Sequence, residues 1–196
     1  MNMPLIPPRM TRDEFFAWAD THAEDRKYEF DGVQPVAVTG ATLNHSRIIQ
    51  SLYFALRSRL LGSTSEVLAQ DAGIATIGNA VRYPDAVVTC TKGAGINRLV
   101  PEAVAVFEVL SPTSGRNDRI DKLREYRAVP SIRHYVILEF ASVALTVFRR
   151  VFDADDWTAT ALLADDVLEL PEMGIQVPVS EFYAGVDLPP DPEPEA

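Results

Sequence analysis

The feature that most constrains the fold is a strand pattern, a helix pattern and a second strand pattern in direct succession. The segments EAVAVFEVLS and RHYVILEF are short and rich in β-branched and aromatic residues, which favours β-strands. The segment between them ends near Pro130 and has apolar residues at helical spacing, namely Ile120, Leu123 and Tyr126. Because a helix is the usual connection between two parallel strands, the sequence predicts a mixed β-sheet.

Two further helices are predicted before this unit. Thr11 and Glu14 have the spacing of a capping box, which predicts a short helix that starts there. Residues 45–61 carry apolar side chains at helical spacing and end at Gly62. Thr42 or Asn44 would cap this second, amphipathic helix.

The other strand patterns complete the predicted fold class. KYEFDGVQPVAV alternates around a DG turn and predicts a hairpin. Strands are also predicted in SEVLAQDAGIATIG, VRYPDAVVTC and SVALTVFRRVF, with edge strands in residues 157–179 and a helical turn at SEFYAGV. The fold class is therefore α/β, with one central mixed sheet flanked by helices.

Composition predicts one soluble domain. With 196 residues and 47% hydrophobic content, the chain is long enough to bury a sizeable core. We expect a single domain over residues 1–186 and a disordered, acidic, proline-rich tail over residues 187–196. No apolar run approaches the roughly 20 residues of a membrane span, and the N-terminus does not resemble a secretory signal. We therefore expect a cytoplasmic protein without a membrane partner.

Two carboxylates stand beside or within apolar strand patterns. Asp85 precedes the run AVVT, and Glu108 interrupts the apolar run 103–110. An ionised acid in a buried strand is costly unless a cation or hydrogen bonds compensate it. Mg²⁺ prefers oxygen ligands, so Asp85, Glu108 and the Val109 carbonyl would form a sufficient site, with Mn²⁺ as a substitute. For either acid alone, capping a loop or pairing with an arginine such as Arg82 is an equally good interpretation.

The predicted helix after Glu108 supplies a third group. Asp118 and Lys122 are four residues apart and share one helix face, with Tyr126 one turn later. An ammonium group above the strand ends would stabilise negative charge that develops on a phosphate. From spacing alone, an exposed Asp–Lys pair is the commoner arrangement.

The basic residues around this helix bear on nucleic-acid binding. The formal net charge of −10 argues against indiscriminate binding to nucleic acid, which needs a basic surface. Arg116 and Arg119 lie in the densest basic stretch of the chain and would contact a DNA backbone if they face the carboxylates. Because acids are interleaved with them, a solvated helix face is an equally good interpretation.

The histidines and glycines point to no other common site. His45 begins the long helix, where it would be a packed or capping residue or would contact a phosphate or an acid. His22 and His134 show no metal-ligand spacing with it, which argues against a zinc site. No P-loop or dinucleotide-binding glycine pattern is present in the sequence.

Taken in order, these motifs resemble the Uma2 family of restriction endonucleases, in the PD-(D/E)XK nuclease superfamily. The matching motifs are YEFDG at 28–32 followed by His45, PD at 84–85, EVLSPTS at 108–114, and the D-x-x-x-K of Asp118 and Lys122 with Tyr126. The resemblance runs from about residue 11 to about residue 185. Each motif is weak by itself, whereas their ordered set is specific.

The resemblance implies a restriction-endonuclease-like core in which Asp85 and Glu108 bind Mg²⁺ and an activated water hydrolyses a phosphodiester bond. The superfamily pattern has a lysine two residues after the second acid, where this chain has Leu110. The family places its lysine on the following helix, and Lys122 matches that position. Glu29 matches an early acid that supports the metal site; from the residues alone, a charged hairpin surface is an equal alternative. The family also implies a homodimer.

The sequence thus predicts a Mg²⁺-dependent DNA endonuclease, with Asp85, Glu108, Lys122 and Glu29 as catalytic residues. One alternative is a catalytically inactive nuclease-fold module that binds or assembles, suggested by Leu110 and by the acidic surface. A nuclease that acts on RNA is the other, because the same metal chemistry permits it.

Overall fold

The computed structural model describes residues 10–22, 27–38, 42–111, 116–151 and 156–188, and for residues 116–119 it describes the backbone only. Residues 189–196 of the predicted tail lie outside the described residues. The α-helices of the described part are α1 (Arg12–Thr21), α2 (Leu43–Leu60) and α3 (Arg116–Arg127). The strands are β1 (Tyr28–Phe30), β2 (Pro35–Ala37), β3 (Glu66–Ala69), β4 (Ile74–Ala75), β5 (Val81–Arg82), β6 (Ala86–Thr89), β7 (Ala103–Val109), β8 (His134–Leu138), β9 (Ala144–Arg150), β10 (Trp157–Leu163), β11 (Val167–Leu170) and β12 (Ile175–Pro178). Short 3₁₀ helices cover Pro171–Met173 and Val179–Tyr183.

The central sheet is mixed, as the strand–helix–strand pattern predicts. Its strand order is β10-β9-β8-β7-β6-β3. Strands β7 and β8 are parallel, and α3 connects them, whereas the other neighbours in this sheet are antiparallel. The predicted crossover unit is therefore confirmed, and it places α3 directly after the strand that carries Glu108.

The expectation that all strands share one sheet is wrong. Strands β2-β1-β5-β4 form a second, four-stranded sheet, and β11 and β12 form a separate hairpin. The predicted strands at residues 65–78 and 81–90 each divide between the two larger sheets. In the second of these, the ladder is interrupted at Pro84, which has no N–H to donate. Asp85 thus lies where the chain passes from the small sheet into the central one.

The central sheet has an apolar core on each face. Leu52 of α2 is fully buried in one core, together with Phe107 and Val109 of β7. Val106 and Leu110 lie in the other core, beside α3. Because side chains alternate along a strand, Glu108 lies on the same face as Val106 and Leu110 and points towards α3.

Local interactions fix the ends of the predicted helices. The predicted capping box is confirmed, since Thr11 and Glu14 exchange hydrogen bonds at the start of α1. Thr42 rather than Asn44 caps α2, because its hydroxyl accepts a hydrogen bond from the His45 N–H. Gly62 follows α2 with φ +80°, a left-handed conformation that favours glycine. None of the described helices has the length and apolar character that a membrane crossing requires.

The packing of α2 leads to a stability prediction. Leu52→Ala should lower the free energy of unfolding by about 2–5 kcal/mol, because it leaves a cavity under the sheet. Phe54→Ala is the matched control on the same helix: Phe54 is 74% exposed, and we expect a change within about 0.5 kcal/mol. Urea unfolding followed by circular dichroism measures both. Equal losses for the two variants would contradict the packing of α2 described above.

Candidate active site

The register of the central sheet brings Asp85 and Glu108 together. Ala86 of β6 pairs with Phe107 of β7, and the two acids directly flank this pair. The Val109 N–H donates to Asp85 Oδ2 at 2.7 Å, and Gln70 Nε2 donates to Asp85 Oδ1 at 3.1 Å. The two acids therefore meet at the edge where β6 begins and β7 ends.

His45 closes the site from the side of α2. Its Nε2 atom lies 3.0 Å from the Val109 carbonyl oxygen and 3.6 Å from Asp85 Oδ2. The interpretation of His45 as a residue that contacts an acid agrees with this position. A carbonyl oxygen has two lone pairs, so the contact with His45 leaves Val109 one lone pair for a cation.

The Glu108 side chain is 12% exposed and accepts two hydrogen bonds on one oxygen. Lys122 Nζ lies 3.2 Å from Oε1, and the Tyr126 hydroxyl donates to the same atom at 2.9 Å. Burial raises the pKa of Glu108 to about 7; Lys122 opposes this effect, and the negative charges of Asp85 and Glu29 add to it. The local charges thus leave this carboxylate incompletely compensated.

The structure brings Lys122 to the carboxylates from α3. Its Nζ atom is 3.8 Å from Glu29 Oε1 as well as close to Glu108. Leu110, at the usual lysine position of the superfamily, is buried in the core beside α3. The ammonium group therefore reaches the second acid from the helix, while the strand position contributes to the core.

Glu29 is buried beside Lys122 and does not belong to an exposed hairpin surface. Only 7% of the residue is exposed. The Tyr83 N–H donates to Oε1 at 3.1 Å, and Arg82 Nη1 donates to Oε2 at 3.1 Å. The charged-surface alternative for Glu29 is consequently wrong.

Arg82 and Glu125 are site neighbours whose roles were not predicted. The alternative that Arg82 pairs with Asp85 or Glu108 is wrong. Its Nε and Nη2 atoms instead donate to the two Glu125 oxygens at 2.8 and 2.6 Å. The Thr76 hydroxyl also donates to Glu125, at 2.8 Å. The available signal was an arginine inside a predicted strand, because a buried arginine needs an acidic partner.

Three predicted residues cannot be placed by their side chains. Asp118, Arg116 and Arg119 lie on the described backbone of α3, but their side chains lie outside what the structure describes. Their assignments as a supporting acid and as contacts for a DNA backbone stay predictions.

Comparisons with known proteins agree with this architecture. The model of the Uma2 family, described as "Putative restriction endonuclease", matches residues 12–180. The chain belongs to the Uma2 family. An uncharacterized protein of Synechocystis sp. (strain ATCC 27184 / PCC 6803 / Kazusa) is 30% identical over 187 residues, which cover 93% of this chain and 96% of that protein.

A solved structure confirms the fold class of this Uma2 protein. The crystal structure of a putative nuclease belonging to DUF820 from Anabaena variabilis ATCC 29413 superposes with a TM-score of 0.70. The match covers 89% of this chain and 98% of that chain at 13% sequence identity. The prediction of a nuclease-like α/β fold with a central mixed sheet is therefore confirmed.

The chemistry of the donor groups fits a hard divalent cation. Among the described residues, no three His, Cys, Asp or Glu side chains are grouped so as to hold a metal ion by themselves. Two carboxylates with a backbone carbonyl and water are nevertheless enough for Mg²⁺, which usually keeps several waters. Among the described side chains, the carboxylates outnumber Arg82 and Lys122: these two cations contact Glu29, Glu108 and Glu125. Asp85 instead accepts from the Val109 N–H and from Gln70 and lies beside His45.

The raised pKa of Glu108 predicts a pH-dependent stability. The folded protein keeps this proton up to about pH 7, whereas the unfolded chain loses it near the ordinary pKa of 4.5. The stability contributed by Glu108 therefore falls as pH rises between these values. Without metal, Glu108→Gln should be more stable than wild type at pH 8 by on the order of 2 to 3 kcal/mol, with the gap closing towards pH 4.5.

Urea unfolding in EDTA across this pH range measures the gap. The control is Asp165→Asn, because Asp165 lies in an exposed turn after β10. A difference between wild type and Glu108→Gln that does not change with pH would contradict a raised pKa at Glu108.

Proposed function

We propose that this Uma2 protein is a Mg²⁺-dependent endonuclease that hydrolyses phosphodiester bonds in DNA. The observation that carries the proposal is the meeting of Asp85, Glu108 and Lys122 at one edge of the central sheet. These groups come from three separate places in the fold: the residue before β6, the strand β7 and the helix α3. Two carboxylates can hold a cation, and an ammonium group beside them can stabilise an anionic phosphate, which suits this set to phosphodiester hydrolysis.

Asp85 and Glu108, with the Val109 carbonyl, would hold the cation. When bound, Mg²⁺ supplies a Lewis acid that polarises a phosphoryl oxygen and lowers the pKa of water. The excess of carboxylates supports a cation at this place. The negative charges of Asp85 and Glu29 disfavour the ionised form of Glu108, and a bound cation would favour it.

Lys122 has the electrostatic role in this proposal. Its ammonium group donates a hydrogen bond to Glu108 and carries a positive charge 3.8 Å from Glu29. It would stabilise negative charge on the phosphate as a P–O bond breaks. Tyr126 and His45 hold the surrounding atoms in place: the Tyr126 hydroxyl donates to Glu108, and His45 lies against the Val109 carbonyl.

The family description and the basic stretch of α3 support DNA as the proposed substrate. The Uma2 family is described as a putative restriction endonuclease, which supports DNA as the partner. Arg116 and Arg119 belong to the same helix as Lys122, so they are proposed contacts for the DNA backbone. A homodimer is part of the same proposal.

Plasmid nicking tests the catalytic assignment. With Mg²⁺ or Mn²⁺, wild type should convert supercoiled DNA to open circles, and Asp85→Ala and Glu108→Ala should abolish this activity. Lys122→Met should lower kcat by about 10²–10³-fold, as expected for the loss of one preorganised charge-stabilising group.

Asp165→Asn and Lys92→Met, at exposed positions, are the charge-matched controls. Equal activity in wild type and in both alanine variants would refute the proposal; cleavage of single-stranded RNA alone would reassign the substrate.

Calorimetric titration with Mg²⁺ tests the cation site independently of cleavage. We expect saturable binding by wild type, loss of binding in Asp85→Asn, and unchanged binding in Asp165→Asn. The physical reason is that removing one carboxylate removes both a ligand and a negative charge. Absence of binding by wild type at millimolar Mg²⁺ would instead favour a nuclease-fold module without catalysis.

A further inference from the structure

A buried ion-pair cluster connects the small sheet to α3 beside the proposed site. Arg82 of β5 places two donors on Glu125 of α3 and a third on Glu29 of β1. The Arg82, Glu125 and Glu29 side chains are only 8–9% exposed. We call Arg82, Glu125 and the Thr76 hydroxyl bound to Glu125 the clamp.

The clamp contacts two parts of the structure that surround Lys122: the helix α3 and the carboxylate of Glu29. Glu125 lies three residues after Lys122 on α3, which places both residues on neighbouring parts of the same helix surface. Glu29 has one oxygen 3.1 Å from Arg82 Nη1 and the other 3.8 Å from Lys122 Nζ. The clamp therefore fixes the helix that carries Lys122 and orients a carboxylate that faces its ammonium group.

A lysine on a helix needs such support more than a lysine on a strand. A residue two positions after Glu108 would be held by the ladder that also holds Glu108. Lys122 instead depends on how α3 sits against the sheet, and a displacement of about 1 Å can lower a rate by about 10²-fold. Packing of α3 against the sheet does not by itself require charged residues, because replacing a buried ion pair by apolar residues is often neutral or stabilising.

We propose that Arg82 and Glu125 are positioning residues that hold Lys122 against Glu108, acting through α3 and Glu29. The inference rests on the proposed role of Lys122 in hydrolysis. Neither clamp residue needs to contact the substrate. Their directional hydrogen bonds, more than their contribution to stability, give them this role.

The chain offers a chemically matched control pair. Arg59 of α2 donates through Nη1 and Nη2 to the two Glu181 oxygens at 2.8 and 2.9 Å. Like Arg82 with Glu125, this pair joins one guanidinium group to both oxygens of one carboxylate, but through the two terminal nitrogens and at a more exposed place, with side chains 28% and 43% exposed. It lies near the other end of α2 from His45, about 21 Å along a helix that rises 1.5 Å per residue.

The first measurement is steady-state nicking by Arg82→Lys, which keeps the charge but loses the fork, and by Glu125→Gln, which keeps the size. We expect kcat to fall at least about tenfold in each, with KM for DNA and the Mg²⁺ affinity within about twofold of wild type. Arg59→Lys and Glu181→Gln should leave kcat within about twofold. Unchanged kcat in the clamp variants of an active protein would overturn the inference.

The second measurement needs no catalysis. A double-mutant cycle in urea unfolding combines Arg82→Lys with Lys122→Met, and a control cycle combines Arg59→Lys with Lys122→Met. We expect the first cycle to depart from additivity by at least about threefold in the unfolding equilibrium constant, and the control cycle to be additive. Additivity in the first cycle would overturn the inference. If wild type does not nick DNA, the proposed function fails, and this cycle alone decides whether the clamp holds Lys122.

Discussion

Burial of carboxylates between two sheets is the physical constraint on which the site depends. Glu29, Glu108 and Glu125 are largely shielded from water, and an unpaired carboxylate there would cost several kcal/mol. Arg82 and Lys122 compensate part of this charge. Burial raises the pKa of Glu108 to about 7, and the negative charges of Asp85 and Glu29 add to this effect. The same uncompensated charge supports the proposal of a divalent cation at this place.

Two chain connections bring the charged residues to one place. The passage at Pro84 delivers Arg82 to the small sheet and Asp85 to the central one, three residues apart. One short segment therefore supplies both a cation that orders Glu29 and an acid of the proposed metal site. The crossover from β7 to β8 then brings α3 over the same edge. In this fold, the proposed catalytic residues and the residues that hold them come from the same few connections.

Much of the fold could be predicted because its signals are local. Capping at Thr11, helical spacing in residues 45–61 and the strand–helix–strand order all depend on neighbours in sequence. The division of two predicted strands between sheets could not be predicted in this way. Both halves of each segment have strand character, and which sheet each half joins depends on distant partners. The pairing of Glu29 with Arg82 could not be predicted for the same reason, since the two residues are 53 positions apart in sequence.

The sequence by itself determined the chemistry that is available: two acids beside apolar strands, a lysine on the following helix, and the ordered motifs of the Uma2 family. Tertiary structure decided which of these groups meet. It placed Lys122 on Glu108 while Leu110 filled the core, and it turned Glu29 inward onto Arg82. The physical reason is that burial and long-range pairing set the energy of a charge, and neither is a property of a residue's neighbours along the chain.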